Sequence, residues 1–301
     1  MKKYWILISL CLCFVCKFST AANIVVAYPA VKEPYRAVFD LIVQGVEENA
    51  SESVLPLEFN QGIGSDALLA ELVELNADAA ILLGGYGFKY AHEIVKHMPV
   101  MVGGYPIKPN GFGGVSMTND PEIVFSELDK LAPHIKRVYM VYSQATEWII
   151  PRAQSAANKN GVKLIATRAD TIKAAMTYYD QLFKRIDPKQ DSIWLTLDTV
   201  TANDQVVLPY LLEASWMRKF VLFSSKPTHA KRGALFALFP DNYQLGKRLI
   251  LMAENTLNKN HIYKVEPMDK FQVAVNLRAA AHLGVQYDEN LKRDMHIIVP
   301  R

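Results

Sequence analysis

The chain has 301 residues, 50% hydrophobic and 21% charged, an ordinary globular composition long enough for two domains. At this size folding buries roughly 70–75% of the unfolded chain's surface, so neither disulfides nor metals are needed as staples. The formal charge of +3 sits at the start: without Lys2, Lys3 and Lys17 the 33 Lys and Arg fall to 30, against 30 Asp and Glu, and a neutral chain gives no electrostatic argument for nucleic acid or an anionic membrane as partner.

The first predicted element is a leader. Lys2 and Lys3 precede an apolar run from Tyr4 to Val15, and Ser19-Thr20-Ala21 supplies small residues for cleavage after Ala21 or Ala22, the pattern of a secretory signal peptide over residues 1–21. The run is about 12 residues and a membrane span needs ~20, which disfavours a retained anchor. None of Cys11, Cys13 and Cys16 follows Gly, Ala or Ser, as lipid attachment expects. All three cysteines fall in this leader, so the mature chain is expected to hold no disulfide, thiolate metal site or Cys nucleophile. The short basic start fits a bacterium, and export then means the periplasm.

After the leader, Ile24–Tyr28 reads as a strand and Tyr35–Val46 as a helix, with apolar residues at Val38, Leu41, Ile42 and Val46. Val54–Phe59 is a strand, Ser65-Asp66 caps a helix, Ala79–Leu83 is a strand ended by Gly84-Gly85-Tyr86-Gly87, and Tyr90–Lys96 is a helix. Pro99–Val102 is a strand ended by Gly103-Gly104-Tyr105. This βα rhythm calls for a parallel sheet with helices on both faces. Pro106–Gly114 breaks it, Val115–Met117 is a brief extended piece, and Thr118 or Asn119 caps a helix with Pro121 in its first turn. A domain crossing is expected here.

The rhythm then resumes. Strands are predicted at Arg137–Tyr142, Val162–Ala166, Ser192–Leu197, Phe220–Phe223 and Ala234–Phe239, with helices over Glu147–Asn158, Thr171–Ile186 and Asp204–Met217. Lys226, His229, Lys231 and Arg232 form a basic loop between the last two strands: a solvated turn, or a contact for a ligand carboxylate or a membrane partner. Asn242–Leu257 is a long helix, Phe271–Val275 a strand, Leu277–Leu283 a helix, and the tail from Met295 adds an edge strand. If helix 242–257 packs on the first lobe and Phe271–Leu283 on the second, the chain crosses three times. Residues 22–117 with about 242–268 then make one α/β lobe, and 118–241 with about 269–301 the other, joined by a three-strand hinge that permits closure.

In open parallel sheets ligands sit outside the carboxyl ends of the strands, where helix N-termini favour an anionic or zwitterionic solute. Tyrosines recur in these loops: Tyr28 with Tyr35 nearby, Tyr86, Tyr105 and Tyr142. Each either caps the core or walls a site with an aromatic face and a polar tip. Gly84-Gly85 lets backbone approach backbone or ligand, and Ser224–Pro227, which includes Ser225, and Pro240–Asn242 complete one wall. Asp198-Thr199 ends a buried strand, where the carboxylate accepts from a ligand amino group or caps the next turn. Gly62-Ile63-Gly64-Ser65-Asp66-Ala67 imitates a dinucleotide fingerprint but follows the second strand and lacks the later acidic residue, so no cofactor is expected. The histidines have no metal-ligand spacing, and no nucleophile elbow, Walker loop or HExxH occurs, so neither a metal nor catalysis is expected.

FGGVSM, LAPHIKRVYMVYS, LTLDTV, LFSSKPTHAKRGALFALFPDNYQLGKRL and FQVAVNLRAAAHLG, which span most of 112–284, resemble the solute-binding proteins of the family that includes tryptophan- and tyrosine-binding ABC transporter components. Residues 24–110 match in pattern more than wording, and GGYGFK stands where the family tends to have a smaller, less aromatic loop. The resemblance implies two flavodoxin-like, Rossmann-like lobes of the type I periplasmic-binding fold and capture of a ligand between them without catalysis. It points to Ser143, Asp198, Thr199 and Asp241 as ligand residues and to Asn276 as part of the hinge. It implies a monomer that captures a small molecule, an amino acid or a carboxylate-bearing solute with aromatic ones included, and delivers it to a membrane ABC permease. The alternative is a sensor subunit of the same fold reporting to a membrane kinase or chemoreceptor.

Overall fold

The computed structural model describes residues 22–109, 111–258 and 264–300. The expected leader, with its three cysteines, lies outside them. The first sheet is built from β1 (Asn23–Pro29), β2 (Ser53–Phe59), β3 (Ala79–Leu83), β4 (Val100–Gly103), β5 (Gly113–Asn119) and, from much later in the chain, β11 (Val265–Met268). Its order is β11-β5-β4-β3-β1-β2, every pair parallel. Strands covered on both faces must be apolar throughout, and β3 (AAILL) is buried at every residue. Helix α1 (Tyr35–Glu47) covers one face, where Ile24, Val26 and Ile81 meet Phe39 and Ile42. Helices α2 (Ser65–Glu74) and α3 (Gly84–Ile94) cover the other, where Val25, Ala27 and Leu82 meet Leu68, Leu72 and Tyr90. The alternation along β1 is the period of two expected of a strand.

The second sheet follows α4 (Pro121–Leu131) and contains β6 (Arg137–Tyr142), β7 (Lys163–Arg168), β8 (Asp191–Leu195), β9 (Val221–Ser224), β10 (Phe236–Pro240), β12 (Phe271–Asn276) and β13 (Ile297–Val299). The order is β13-β12-β10-β9-β8-β6-β7, with β12 antiparallel to β10 and the other pairs parallel. Its helices are α5 (Ile150–Lys159), led in by a 3₁₀ turn at Glu147–Ile149, then α6 (Ile172–Phe183), α7 (Val207–Arg218), α8 (Pro227–Arg232), α10 (Leu277–His282) and α11 (Glu289–Arg293). Trp194, Phe223 and Phe236 stack in register across neighbouring strands, with ring centroids 6.1 and 4.9 Å apart. The protein is thus two doubly wound, Rossmann-like parallel sheets.

The chain passes between the sheets at Asp120 (β5 to α4), at Asp241 (β10 to α9, Asn242–Leu257) and at Asp269-Lys270 (β11 to β12). The passages are tied to one another. Asp120 N–H donates to Met268 O (2.8 Å), Asp241 N–H to Lys270 O (3.1 Å), and Asn119 Nδ2 to Leu238 O (2.8 Å). Helix α9 leaves the second sheet and packs on α1.

Several local expectations are corrected. The helix after β3 begins at Gly84, so the glycine stretch is its first turn: a Cβ on Gly87 would lie 2.8 Å from the Leu82 backbone, and only glycine lets the helix lie this close to the strand end. The basic loop is helix α8, with Pro227 in its first turn and Gly233 at φ +131° after its end. The cap of α4 is Asp120, whose carboxylate accepts from Glu122 N–H (3.1 Å), and not Thr118 or Asn119. The brief extended piece is the seven-residue strand β5, and β11 and α11 were not anticipated.

Helices α1 and α9 cross at two glycines. A Cβ on Gly45 would lie 2.1 Å from Tyr243 O, and one on Gly246 would lie 2.0 Å from Ile42 O. The backbones are in contact, so any side chain forces them apart. Gly246→Val is expected to cost about 2–3 kcal/mol of stability, read as a lower urea midpoint; an unchanged midpoint would show that the helices separate freely.

Candidate functional site

Strand ends at Pro29 and Leu83 in the first sheet, and at Tyr142, Leu195, Ser224 and Pro240 in the second, lead into helices, Gly103 leads through a loop into β5, and all three passages leave from these carboxyl edges. The passages are one or two residues long, so the two edges lie side by side. This is where open α/β sheets hold ligands.

On the first lobe the tyrosines form a connected wall. The half-buried Tyr28 ring stacks on Phe39 (centroids 6.5 Å apart) with the Arg36 guanidinium 5.8 Å from its centre. Burial, then the nearby Glu58 charge, push its hydroxyl pKa up. Phe39 in turn abuts Gly84 and Gly104. A Cβ on Gly85 would lie 3.2 Å from the Tyr105 ring, so this glycine makes room for the aromatic. Tyr105, 40% exposed, stacks on Phe88 at 5.9 Å, and Tyr86, 38% exposed, leans on Tyr90 at 6.1 Å. Tyr90 is fixed by a hydrogen bond from its hydroxyl to Gln61 O (2.9 Å). Tyr28, Gly85, Tyr86 and Tyr105 therefore meet at one edge. Tyr35, 69% exposed at the start of α1, takes part in none of these ring contacts among the described residues.

On the second lobe Asp198 is 2% exposed and serves as a loop anchor. Its carboxylate accepts from Ser143 N–H (2.9 Å), Thr146 Oγ1 (2.7 Å), Val200 N–H (2.9 Å) and Thr201 N–H (3.0 Å). Burial pushes its pKa up, but these donors outweigh burial and hold it below the ordinary carboxylate value. Of the two readings open from the sequence, the geometry is that of the cap: both oxygens are occupied by the loops after β6 and β8. Thr199 is exposed on the turn so fastened, and Tyr142 is half-buried at the end of β6. Ser225 donates its N–H to Leu195 O (2.9 Å) and accepts from Trp194 Nε1 (3.2 Å). Asp241 caps α9 by accepting from Gln244 N–H (3.1 Å).

Two residues at these edges, Asn119 and Thr196, were not singled out as site residues from the sequence, and a third, Asn242, lies in the Pro240–Asn242 wall expected there. Asn119 Oδ1, Thr196 Oγ1 and Asn242 Oδ1 are buried without a partner among the described residues, as is the nearby Thr201 Oγ1. The Asn119 amide is oriented by its donation to Leu238 O, which leaves its carbonyl oxygen over. A buried acceptor without a donor costs about 1–3 kcal/mol, so a solute bearing N–H groups suits this floor. In the sequence these residues carry only the signal of caps and strand ends.

The edge of β9 also gathers a Ser-His-Asp constellation that sequence reading missed. Ser224 Oγ lies 2.7 Å from His229 Nδ1, and His229 Nε2 lies 2.7 Å from Asp204 Oδ1. A neutral ring with the proton on Nε2 satisfies both contacts, with the serine hydroxyl donating to Nδ1. Lys226 Nζ binds the same aspartate (2.9 Å), and Lys226 N–H donates to Ser224 Oγ (3.1 Å). Ser224 and His229 are buried and Asp204 is 48% exposed on its side chain. Burial depresses the His229 pKa more than Asp204 raises it. Among the described residues no group of His, Cys, Asp and Glu is placed to hold a metal.

The family model described as ABC transporter substrate binding protein matches residues 109–296. A comparison with curated protein sequences finds no match. Solved structures are similar in fold. They include a domain from Streptococcus pneumonia in complex with L-Trp (16% identity, 93% of this chain and 100% of that one, TM-score 0.60). A ligand-free, open substrate-binding protein with adhesive properties from Clostridium difficile matches at 17% identity over 93% of this chain and 99% of that one, TM-score 0.65. A periplasmic ribose ABC transporter protein from Conexibacter woesei matches at 13% identity over 92% and 99%, TM-score 0.51. The fold is that of the type I periplasmic binding proteins.

Two outcomes follow from the second lobe. Asp198→Ala strands four donors and is expected to cost about 2–4 kcal/mol in urea unfolding; unchanged stability would mean that its oxygens are free for a ligand. His229 binds its proton less tightly folded than unfolded, so its stabilisation is complete above its ordinary value of 6.5 and lost as pH falls through the depressed folded value. The melting temperature is expected to rise from pH 5 to 7, with part of that rise missing in His229→Gln; superimposable profiles would exclude the histidine as the cause.

Proposed function

The chain belongs to the ABC transporter substrate-binding protein family, and on that premise we propose that it captures a small solute between the two carboxyl edges and delivers it to an ABC permease in the membrane. The observation that carries this reading is that exposed aromatic rings and buried, unpartnered polar atoms lie at the same paired edges. Tyr86 and Tyr105 offer aromatic faces on the first lobe. Asn119, Thr196 and Asn242 offer unpartnered polar atoms along the paired edges. Helices α2 and α3 start without a side-chain cap, so their first-turn N–H groups are open to a carboxylate, whereas Tyr35 and Arg36 at the start of α1 already donate to Lys32 O. Donor-bearing at one end, anionic at the other and aromatic in its body, the solute we infer is an amino acid or a similar zwitterion, aromatic ones included. The neighbour solved with L-Trp supports the same class.

In this reading residues 22–117 with about 242–268 and residues 118–241 with about 269–301 are the bodies that close. A solute touching both edges binds the closed form more tightly and draws the population toward it by that difference. Tyr28, Gly85, Tyr86 and Tyr105 supply one wall, and Tyr142, Ser143, Thr199, Ser225 and Asp241 line the other, with Asp198 holding its loops. Tyr35 stands at the rim. The leader read in the sequence places the protein in the periplasm, acting as a monomer without catalysing a reaction on its solute.

A thermal-shift screen of the amino acids and small carboxylates tests this directly. The cognate solute at 100 times its dissociation constant adds about 2.7 kcal/mol, and no shift with any of them would refute the assignment. Calorimetry on Tyr86→Ala and Tyr105→Ala is expected to give at least about tenfold weaker binding at an unchanged melting temperature of the empty protein.

A further inference from the structure

The second sheet has a hollow with a basic lining at its other end. Gly233 precedes β10, and Asn276 ends β12, which runs antiparallel to β10, so the hollow between them lies at the amino end of β10, away from Ser224 and Pro240. Its volume is ≈ 420 Å³, and its lining includes Trp216, Lys231, Arg232 and Arg278 with no acidic side chain. That is within the range of small-ligand sites, about 300–1,000 Å³.

Two features set it apart from ordinary surface. The first is charge without neutralisation. The chain beyond its leader is balanced, yet three cations line one hollow, and none of them is in an ion pair among the described residues. Arg232 donates to the main-chain carbonyl of Asp204 (3.0 Å), while that residue's carboxylate is held by Lys226 and His229. Clustered like charges are mutually unfavourable, and an anion relieves them. The second is a rigid aromatic floor. Trp216 is 43% exposed, though tryptophan is highly buried on average. One face lies flat on His282 (3.7 Å between ring centres, 5° between planes), and His282 Nε2–H donates to Trp216 O (2.8 Å). The Arg278 guanidinium lies 5.5 Å from the indole centre. The ring is therefore held in place before any ligand arrives, and its orientation costs nothing on binding.

We propose that this hollow is a second binding site, separate from the paired edges, for a small organic anion: a carboxylate or phosphate ester whose charged head is held by Lys231, Arg232 and Arg278 and whose planar body lies against Trp216. Of the basic residues that drew attention in the sequence, Lys226 and His229 brace the sheet edge, and Lys231 and Arg232 serve this site.

The test is titration of the full chain with phenyl phosphate, benzoate and inorganic phosphate, following the Trp216 indole N–H resonance and the heat of binding. Saturable binding is expected, with phenyl phosphate tighter than inorganic phosphate. Loss of one charge-assisted contact in Lys231→Gln or Arg278→Gln is expected to weaken it at least about tenfold, and Trp216→Leu to erase the preference for the aromatic body. Lys231 is exposed, so Lys231→Gln decides the matter should Arg278→Gln lower the melting temperature. A resonance shift that never saturates, or equal affinity in Lys231→Gln and the parent protein, would overturn the proposal.

Discussion

Asp120 is the residue on which the arrangement of the two lobes depends most. It ends the first lobe's β5 edge, caps α4 of the second through Glu122 N–H, gives its own N–H to Met268 O on β11, and pairs both oxygens with Arg152 of α5. It is 7% exposed. A carboxylate so enclosed is tolerable because each of its oxygens meets a charged donor, and Oδ1 a main-chain N–H as well. One residue thus joins two of the three passages to a helix of the second lobe, and Asn119 beside it reaches across to Leu238. The passages are short, and their fastening to one another keeps the two carboxyl edges adjacent.

The alternation of buried strands and amphipathic helices was legible because it depends on local pattern. β3 is a continuous apolar run, β6 and β9 are apolar but for Arg137 and Ser224 at their ends, and the stripe along α9 has helical spacing. The misses share a cause: their structure depends on a partner distant in sequence. β5 (GGVSMTN) has little apolar content, and its Gly114 is required because a Cβ there would lie 2.2 Å from Val102 O of the neighbouring strand. β11 (VEPM) holds a proline, tolerated because the strand lies at the sheet edge. α8 is different. Its first-turn proline and the glycine after its end were readable, but four basic or ring residues in so short a span suggested a loop.

The site was legible in its positions and less so in its roles. Tyrosines at successive strand ends come together in the first lobe because the strand ends are neighbours in the sheet. Asp198 stood at the right edge, but whether a carboxylate there is open or filled depends on Ser143 and Thr146, more than fifty residues away. The reverse holds for Asn119, where one donor is used within the protein and the remaining acceptor is what matters. Sequence gives the residue type; only the contacts tell which of its atoms are still unpaired.

Ser224, His229 and Asp204 make the same point about chemistry. In a hydrolytic triad the serine is reachable, its partner is the imidazole Nε2, and the acid is buried behind the ring. Here the ordering is inverted: Ser224 is 1% exposed and bonded through Nδ1, and the half-exposed member is the aspartate. The serine oxygen already accepts from Lys226 N–H while its hydroxyl faces the imidazole, so a substrate carbonyl has no line of approach to it. Such a chain of bonds ties the end of β9, the start of α8 and the turn before α7 into one unit. Ser225, next in sequence, is thereby set against Leu195 and Trp194, so the carboxyl ends of β8 and β9 are fastened to each other.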